Sequence, residues 1–194
     1  MTATSRLKRT IKNVWWTWKG RSIANPPVPV QAHSVLFVCL GNICRSPFAE
    51  AIAVKRAPEL STVVLRYASA GLEARTKQSP PEARDVAAMF GVSLDQHEAR
   101  ALTPELAASQ DMIIVMESSQ RQRVHADYPG TRGRVYLLSL FDGEANGLER
   151  YNITDPFAGP RSAYEACYRR IDRAVSALLI GIEHARRAAE KSAS

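Results

Sequence analysis

Residues 35–49, Val35-Leu36-Phe37-Val38-Cys39-Leu40-Gly41-Asn42-Ile43-Cys44-Arg45-Ser46-Pro47-Phe48-Ala49, decide the fold of this chain. The first four are apolar and rich in strand formers, the pattern of a strand buried on both faces, although periodicity alone leaves a buried helix open. Ser46-Pro47 reads as a helix start, with Ser46 capping free backbone N–H groups and Pro47 at the first helical position. The order is therefore strand, tight loop, helix. Backbone N–H groups of such a loop converge on one point, and the helix dipole adds positive potential there. Gly41 and Asn42 are the residues that most readily take the left-handed conformations the loop needs. Arg45 supplies a planar fork matching two oxygens of a tetrahedral oxyanion. Cys39 sits where the loop opens. Facing N–H donors, an Arg and a helix start, its thiol is expected to ionise well below about 8.5. A thiolate beside a bound phosphate is a phosphorus nucleophile.

Cys39 to Ser46 resembles the C-x5-R-S signature of the low-molecular-weight protein tyrosine phosphatases. The match includes the preceding strand, Asn42, the second cysteine and the Ser-Pro after the Arg. The resemblance runs from about His33 to the last helix. It implies hydrolysis of phosphotyrosine through a phosphocysteine, with Cys39 as nucleophile, Arg45 as phosphate clamp and no metal or cofactor. Leu40, Gly41, Asn42, Ile43, Cys44 and Ser46 would then surround the phosphate. Asn42, Ser46, Ser69 and His97 look like the polar network that holds the loop, Asn42 in a strained conformation and Ser46 against the thiolate. For His97 the reading is support, not base catalysis; a satisfied core histidine is the blander alternative.

Breaking a phosphate ester also needs a proton for the leaving oxygen. Asp155-Pro156 occurs in a long loop before the last helix and matches the family's general-acid loop, although Asp-Pro alone is common in turns. Glu117 and Asp142 stand next in line as acids. Leu40, Leu72 and Phe157 are the expected pocket walls. Ala158 stands where animal members carry a second Tyr, and Leu72 to Gln78 contains no aromatic residue. Ile43 resembles the tyrosine-type loop, where related arginine phosphatases carry Thr. Arg75 and Lys77 would attract acidic peptides or simply be solvated. The family pairs cysteines at the positions of Cys39 and Cys44 as a reversible disulfide that shields the nucleophile; a buried structural thiol is the alternative for Cys44. Cys167 reads as a small buried apolar residue.

Two other functions share the loop. A thioredoxin-coupled arsenate reductase needs further cysteines as a relay, and this chain offers only Cys167. A phosphoarginine phosphatase is the other. A catalytically idle binding module is argued against by the intact Cys39, Arg45 and Asp155. The family's bacterial members suggest a tyrosine kinase of polysaccharide export as partner.

Moving outward, 194 residues with 45% hydrophobic content suit one α/β domain and an appendage. Three cysteines are too few for a disulfide framework, and a free thiolate belongs in a reducing compartment, so the expected place is cytoplasmic, peripheral at the inner membrane surface. No stretch reaches the roughly 20 apolar residues of a membrane span, and no apolar segment follows the basic start as in a secretory signal. The net charge is +7, yet residues 1–33 hold six basic residues and no acid, against 20 basic and 19 acidic in the rest. The high pI therefore belongs to the extension, and a nucleic-acid partner is not expected.

Residues 1–32 read as that extension, and 33–194 as the catalytic domain. Leu7, Ile11, Val14, Trp15 and Trp18 recur at helical spacing, flanked by Lys8, Arg9, Lys12 and Lys19, with Trp16 projecting the other way. The segment 7–19 fits an acidic membrane surface or partner. Packing on its own domain and an organelle transit peptide are the alternatives. Asn25 to Pro29 is a stiff, non-helical linker.

Four strands are expected: Val35–Val38, Thr62–Ala68 closed by Ser69-Ala70-Gly71, Asp111–Met116 and Val135–Leu140. Helices are expected over Phe48–Arg56, Pro81–Phe90, from Thr103-Pro104, over Glu117–Tyr128, and from Ser162 to about Ala188, with a loop from Phe141 to Pro160. The alternation argues a three-layer α/β fold, a four-stranded parallel sheet flanked by helices, with the phosphate-binding loop after the first strand.

Overall fold

Strand β1 (Ser34–Cys39) is buried along its whole length, and its alternate side chains enter two different cores. Val35 and Phe37 join one apolar cluster, Leu36 and Val38 the other, so β1 is the middle layer of three. The computed structural model describes residues 23–74, 78–143 and 147–192. The 7–19 segment and residues Arg75 and Lys77 lie outside them. In chain order, β1 is followed by α1 (Arg45–Leu60), β2 (Arg66–Gly71), α2 (Pro81–Met89), α3 (Pro104–Ala108), β3 (Met112–Val115), α4 (Ser118–Asp127), β4 (Val135–Leu137) and α5 (Arg161–Ser192). All pairings are parallel, in the order β2-β1-β3-β4. Helices α1, α2 and α5 cover one face and α3 and α4 the other, the three-layer α/β arrangement expected. Among the described residues no helix is long and apolar enough to cross a membrane.

Several boundaries moved for tertiary reasons. Strand β2 runs from Arg66 through Ser69-Ala70-Gly71, because its register with β1 pairs Ser34 with Arg66 and Cys39 with Gly71. Residues 62–65 lie beyond the start of β1, so their strand propensity finds no ladder; Val63 and Leu65 pack into the core instead. Helix α1 starts at Arg45, and Ser46 is not its cap. Thr103 does cap α3, accepting from Leu106 N at 3.2 Å. The loop after β4 contains short 3-10 turns at Leu138–Leu140 and Gly147–Tyr151. The inner face of α5 is as expected: Tyr164, Cys167, Tyr168, Ile171, Val175, Leu178 and Ile182 are all buried. There the Tyr168 ring stacks on Phe48 of α1 with centroids 3.8 Å apart.

The end of α1 is tied to α5 by one carboxylate. Glu183 accepts from Thr62 N at 2.8 Å, Ser61 Oγ at 2.9 Å and Arg187 Nε at 2.6 Å. The Thr62 N–H and these other donors hold its carboxyl at about 2, well below the ordinary range. Asn25 to Pro29 is non-helical, as expected, and it lies against the domain along β4.

Candidate active site

The loop between β1 and α1 is built around the conformation of Asn42, whose φ of 56° lies in the left-handed region. Such a conformation in a non-glycine residue persists when its surroundings over-determine it. Here its amide Nδ2 donates to Ser46 Oγ and Ser69 Oγ, both at 2.9 Å. Its Oδ1 accepts from Arg100 N at 2.9 Å, and its carbonyl lies 2.7 Å from His97 Nε2. The predicted network of Asn42, Ser46, Ser69 and His97 is thus assembled, with Arg100 as a member the sequence reading missed. Gly41 does not take a left-handed conformation, and a Cβ there would meet Ile43 only at an ordinary 3.4 Å. The indispensable glycine is Gly71 at the end of β2. A Cβ there would fall 2.9 Å from Leu40 O and 3.0 Å from Asn42 N. The loop lies directly on that glycine, and Leu72 N and Glu73 N donate to Cys39 O and Leu40 O at 3.0 and 2.7 Å.

Cys39 ends β1 in the floor of the loop. Its Sγ accepts the backbone N–H of Asn42 at 3.2 Å and lies 3.0 Å from Ser46 Oγ. Ser46 therefore spends its hydroxyl on the sulfur and on Ala70 O, at 3.3 Å, rather than on a helix cap. The other thiols are buried. Burial, with Asp155 and Cys39 nearby, pushes Cys44 up to about 12, and burial pushes Cys167 up to about 12 as well. Both are protonated at neutral pH.

Arg45, only 1% exposed, is the electrostatic centre. Its Nη1 donates to Glu117 and to Ile153 O at 3.0 Å, and its Nη2 donates to Asp155 Oδ2 at 2.5 Å. Burial works against its charge, but Cys39, Asp155 and Glu117 outweigh that, and the guanidinium is held charged more firmly than usual. Its Nε–H is buried with no acceptor among the described residues, leaving a donor for a ligand oxygen. Glu117 was legible only as a spare acid. It lies just past the end of β3, beside the end of β1 where Cys39 sits, and that placement was the available signal. Asp142 is buried against Arg170 and Arg173, at 3.1 and 3.3 Å, and has a structural part to play.

Asp155 comes from the loop before α5. Its Oδ1 accepts from Phe157 N at 3.3 Å, and the loop turns back through Ala158, whose φ is 58°. The acid, the sulfur and the guanidinium line one pocket of about 220 Å³, whose walls include Leu40, Ile43 and Phe157. Leu72 is not a wall: its side chain packs into the cluster beneath α3 and α4, and Glu73 lines the pocket in its place. Arg123 Nη1 holds Glu73 Oε1 at 2.5 Å. A sulfur held by the Asn42 N–H and beside the Ser46 hydroxyl, a buried guanidinium with an open donor and a carboxyl at the rim can bind a tetrahedral oxyanion and exchange it between sulfur and oxygen.

Comparison with known proteins agrees with this chemistry. The model of the family described as low molecular weight phosphotyrosine protein phosphatase matches residues 34–191. Over 143 residues the chain is 38% identical to the low molecular weight protein-tyrosine-phosphatase Etp of Escherichia coli K12, covering 73% of this chain and 89% of Etp. Its fold is similar to that of Vibrio vulnificus Wzb in complex with benzylphosphonate, with a TM-score of 0.68, 29% identity, and coverage of 77% of this chain and 98% of Wzb. It is also similar to the YwlE arginine phosphatase of Geobacillus stearothermophilus, with a TM-score of 0.65, 25% identity, and coverage of 83% and 96%. With the family model spanning residues 34–191 and Etp 38% identical over 73% of this chain, the chain belongs to the low molecular weight phosphotyrosine protein phosphatase family.

Proposed function

We propose that this protein is a protein tyrosine phosphatase that hydrolyses phosphotyrosine through a phosphocysteine. The observation that carries the reading is the convergence of Cys39, Arg45 and Asp155 on one pocket, with the acid already within hydrogen-bond reach of the phosphate clamp. Cys39 Sγ attacks phosphorus as the bond to the phenolic oxygen breaks, and that oxygen takes its proton from Asp155. Phosphate oxygens take over Nε and Nη2 of Arg45, while Glu117 and Ile153 O keep hold of Nη1 and fix the plane of the fork. Asp155, now a carboxylate, accepts a proton from water as that water attacks phosphorus. The S–P bond breaks and inorganic phosphate leaves. Asn42, Ser46, Ser69 and His97 keep the loop in shape throughout.

The apolar side chains of Leu40, Ile43 and Phe157 support an aromatic leaving group, and turnover of phosphoarginine is the test that separates the two substrates. The redox reading belongs to the same proposal: peroxide would convert Cys39 to a sulfenic acid, which Cys44 closes to a disulfide with loss of water. The segment 7–19 is proposed to bind an acidic membrane surface, and a membrane-associated tyrosine kinase is the matching kind of substrate.

Turnover of p-nitrophenyl phosphate, a phosphotyrosyl peptide, phosphoarginine and arsenate by one preparation tests the assignment. The peptide is expected to be the best physiological-type substrate, and Cys39→Ser is expected to abolish turnover while still binding vanadate. Substantial turnover by Cys39→Ser sinks the mechanism. Asp155→Asn should slow phosphotyrosine far more than esters with very acidic leaving groups, which need little protonation. An unchanged dependence of kcat on leaving-group pKa would move the acid elsewhere.

A further inference from the structure

Asp155 stands in a long loop, and a loop carboxyl serves as a general acid only where something fixes its position. Arg45 holds this part of the loop at two points, Ile153 O at 3.0 Å and Asp155 Oδ2 at 2.5 Å. The second contact is given up to phosphate in the proposed cycle. Packing against α5 does not replace it. A cavity of about 310 Å³ lies between loop and helix, lined by Asp155 and Pro156 on one side and by Ala166, Cys167 and Arg170 on the other.

What crosses from α5 to the loop is the guanidinium of Arg170. Its Nε donates to Asp142 Oδ2 at 3.1 Å, its Nη1 to Asn152 O at 2.7 Å, and its Nη2 to Glu149 O. The three acceptors lie at the start of the loop, in its second 3-10 turn and three residues before the acid. The side chains of Asp142 and Arg170 are 3% and 13% exposed, so this is a buried charge pair. A buried carboxylate on one edge of the planar fork fixes the plane, and the fork then fixes both carbonyls. Asn152 passes the restraint on. Its Oδ1 accepts from Ser118 N at 3.0 Å and Ser118 Oγ at 3.1 Å at the start of α4. The next residue, Ile153, donates its N–H to Met116 O at 2.8 Å.

We propose that Arg170 is a positioning residue for the general acid. By tying Asn152 and Glu149 to the buried Asp142, it sets where Asp155 stands relative to the leaving oxygen. Arg170 acts through the backbone of residues 152–155 and has no part in binding phosphate. The proposal rests on the reading of Asp155 as the acid given above. Three residues carry the restraint from Asn152 to Asp155, a span of at most about 10 Å, so a shift at Asn152 reaches the carboxyl. A misplacement of about 1 Å at a reacting group can cost on the order of a hundredfold in rate.

The experiment measures kcat of the full chain on aryl phosphates whose leaving groups span a wide range of pKa, with inhibition by inorganic phosphate alongside. Arg170→Gln is expected to lower kcat about tenfold or more for a phosphotyrosyl peptide and much less for the most acidic leaving groups, which need little protonation. Inhibition by phosphate should stay within about twofold, because Cys39 and Arg45 are untouched. In the Asp155→Asn background, Arg170→Gln should change kcat by less than about twofold, since two residues acting through one step are not additive. Arg170→Lys keeps a cation beside Asp142 but lacks the fork, and it should show the same steepened dependence on leaving group. If Arg170→Gln does not fold, that variant decides alone. An equal loss for every leaving group, or the same loss with and without Asp155, would make Arg170 a structural tie and overturn the proposal. Unchanged kcat in a folded variant would overturn it as well. A leaving-group dependence unchanged in Asp155→Asn itself is a different pattern: it removes the acid assignment, and the proposal falls with it.

Discussion

Gly71 makes no contact with substrate in the proposed mechanism, yet the loop depends on its having no side chain. The backbone of Leu40, Gly41 and Asn42 crosses so close that a Cβ at 2.9–3.0 Å would have to displace peptide groups. Those peptides cannot yield as a flexible side chain would. Gly71→Ala is therefore expected to cost about 1–3 kcal/mol, the usual range for overpacking. That is a drop of roughly 2–4 °C in Tm for each kcal/mol. The kcat should fall by more than the stability loss alone implies, because the displaced atoms include the Asn42 N–H that meets Cys39 Sγ. Calorimetry and kinetics on the same sample separate the two effects, and an unchanged kcat would show that the loop tolerates the shift. Gly71, Arg100 and Glu117 all act across long sequence separations, which explains why they were hard to read. Ser46 shows the converse. A local rule made it a helix cap, and a tertiary partner, the nucleophile, took its hydroxyl.

At the scale of elements, Glu183 fastens α5 to the end of α1. Its carboxyl is held at about 2 against an ordinary value of 4.5, so the native state prefers it ionised. A group lowered in this way contributes its stability in full above about 4.5, and the contribution fades as pH falls towards 2. Glu183→Gln should therefore be less stable than the original protein at neutral pH. The gap should close on acidification through that window, as followed by urea unfolding at several pH values. A gap that stays constant with pH would assign the effect to packing instead of charge. The elements themselves were largely legible. β1, β3 and α5 carry apolar patterns strong enough to survive any context. The start of β2 was not legible, because Thr62-Val63-Val64-Leu65 is as strand-prone as the Arg66–Gly71 strand itself, and only the position of Ser34 in β1 decides where pairing begins. The short length of β4 has no such signal in its own residues.

Across the whole molecule, the pieces of the site come from distant parts of the chain. Cys39 and Arg45 lie near the beginning of the domain, Glu117 in its middle, and Asp155 just before α5. Tyr168, in α5, stacks on Phe48 and donates its hydroxyl to Cys44 O at 3.1 Å, so the last helix also props the back of the first loop. Cys39, Arg45 and Asp155 could be singled out as candidates because each stands in a short sequence motif, and the fold brings all three to one pocket. Asn42 and Ser46 share the first motif, whereas Gly71, Arg100, Glu117 and Tyr168 stand in none.

The late arrival of Asp155 and α5 has a consequence for the protein as it is being made. While the chain is emerging from the ribosome, the reactive cysteine is synthesised more than a hundred residues before the acid that completes its chemistry and the tyrosine that steadies its loop. A nascent chain that stops short of Asp155 thus carries the nucleophile without the acid that protonates the leaving oxygen.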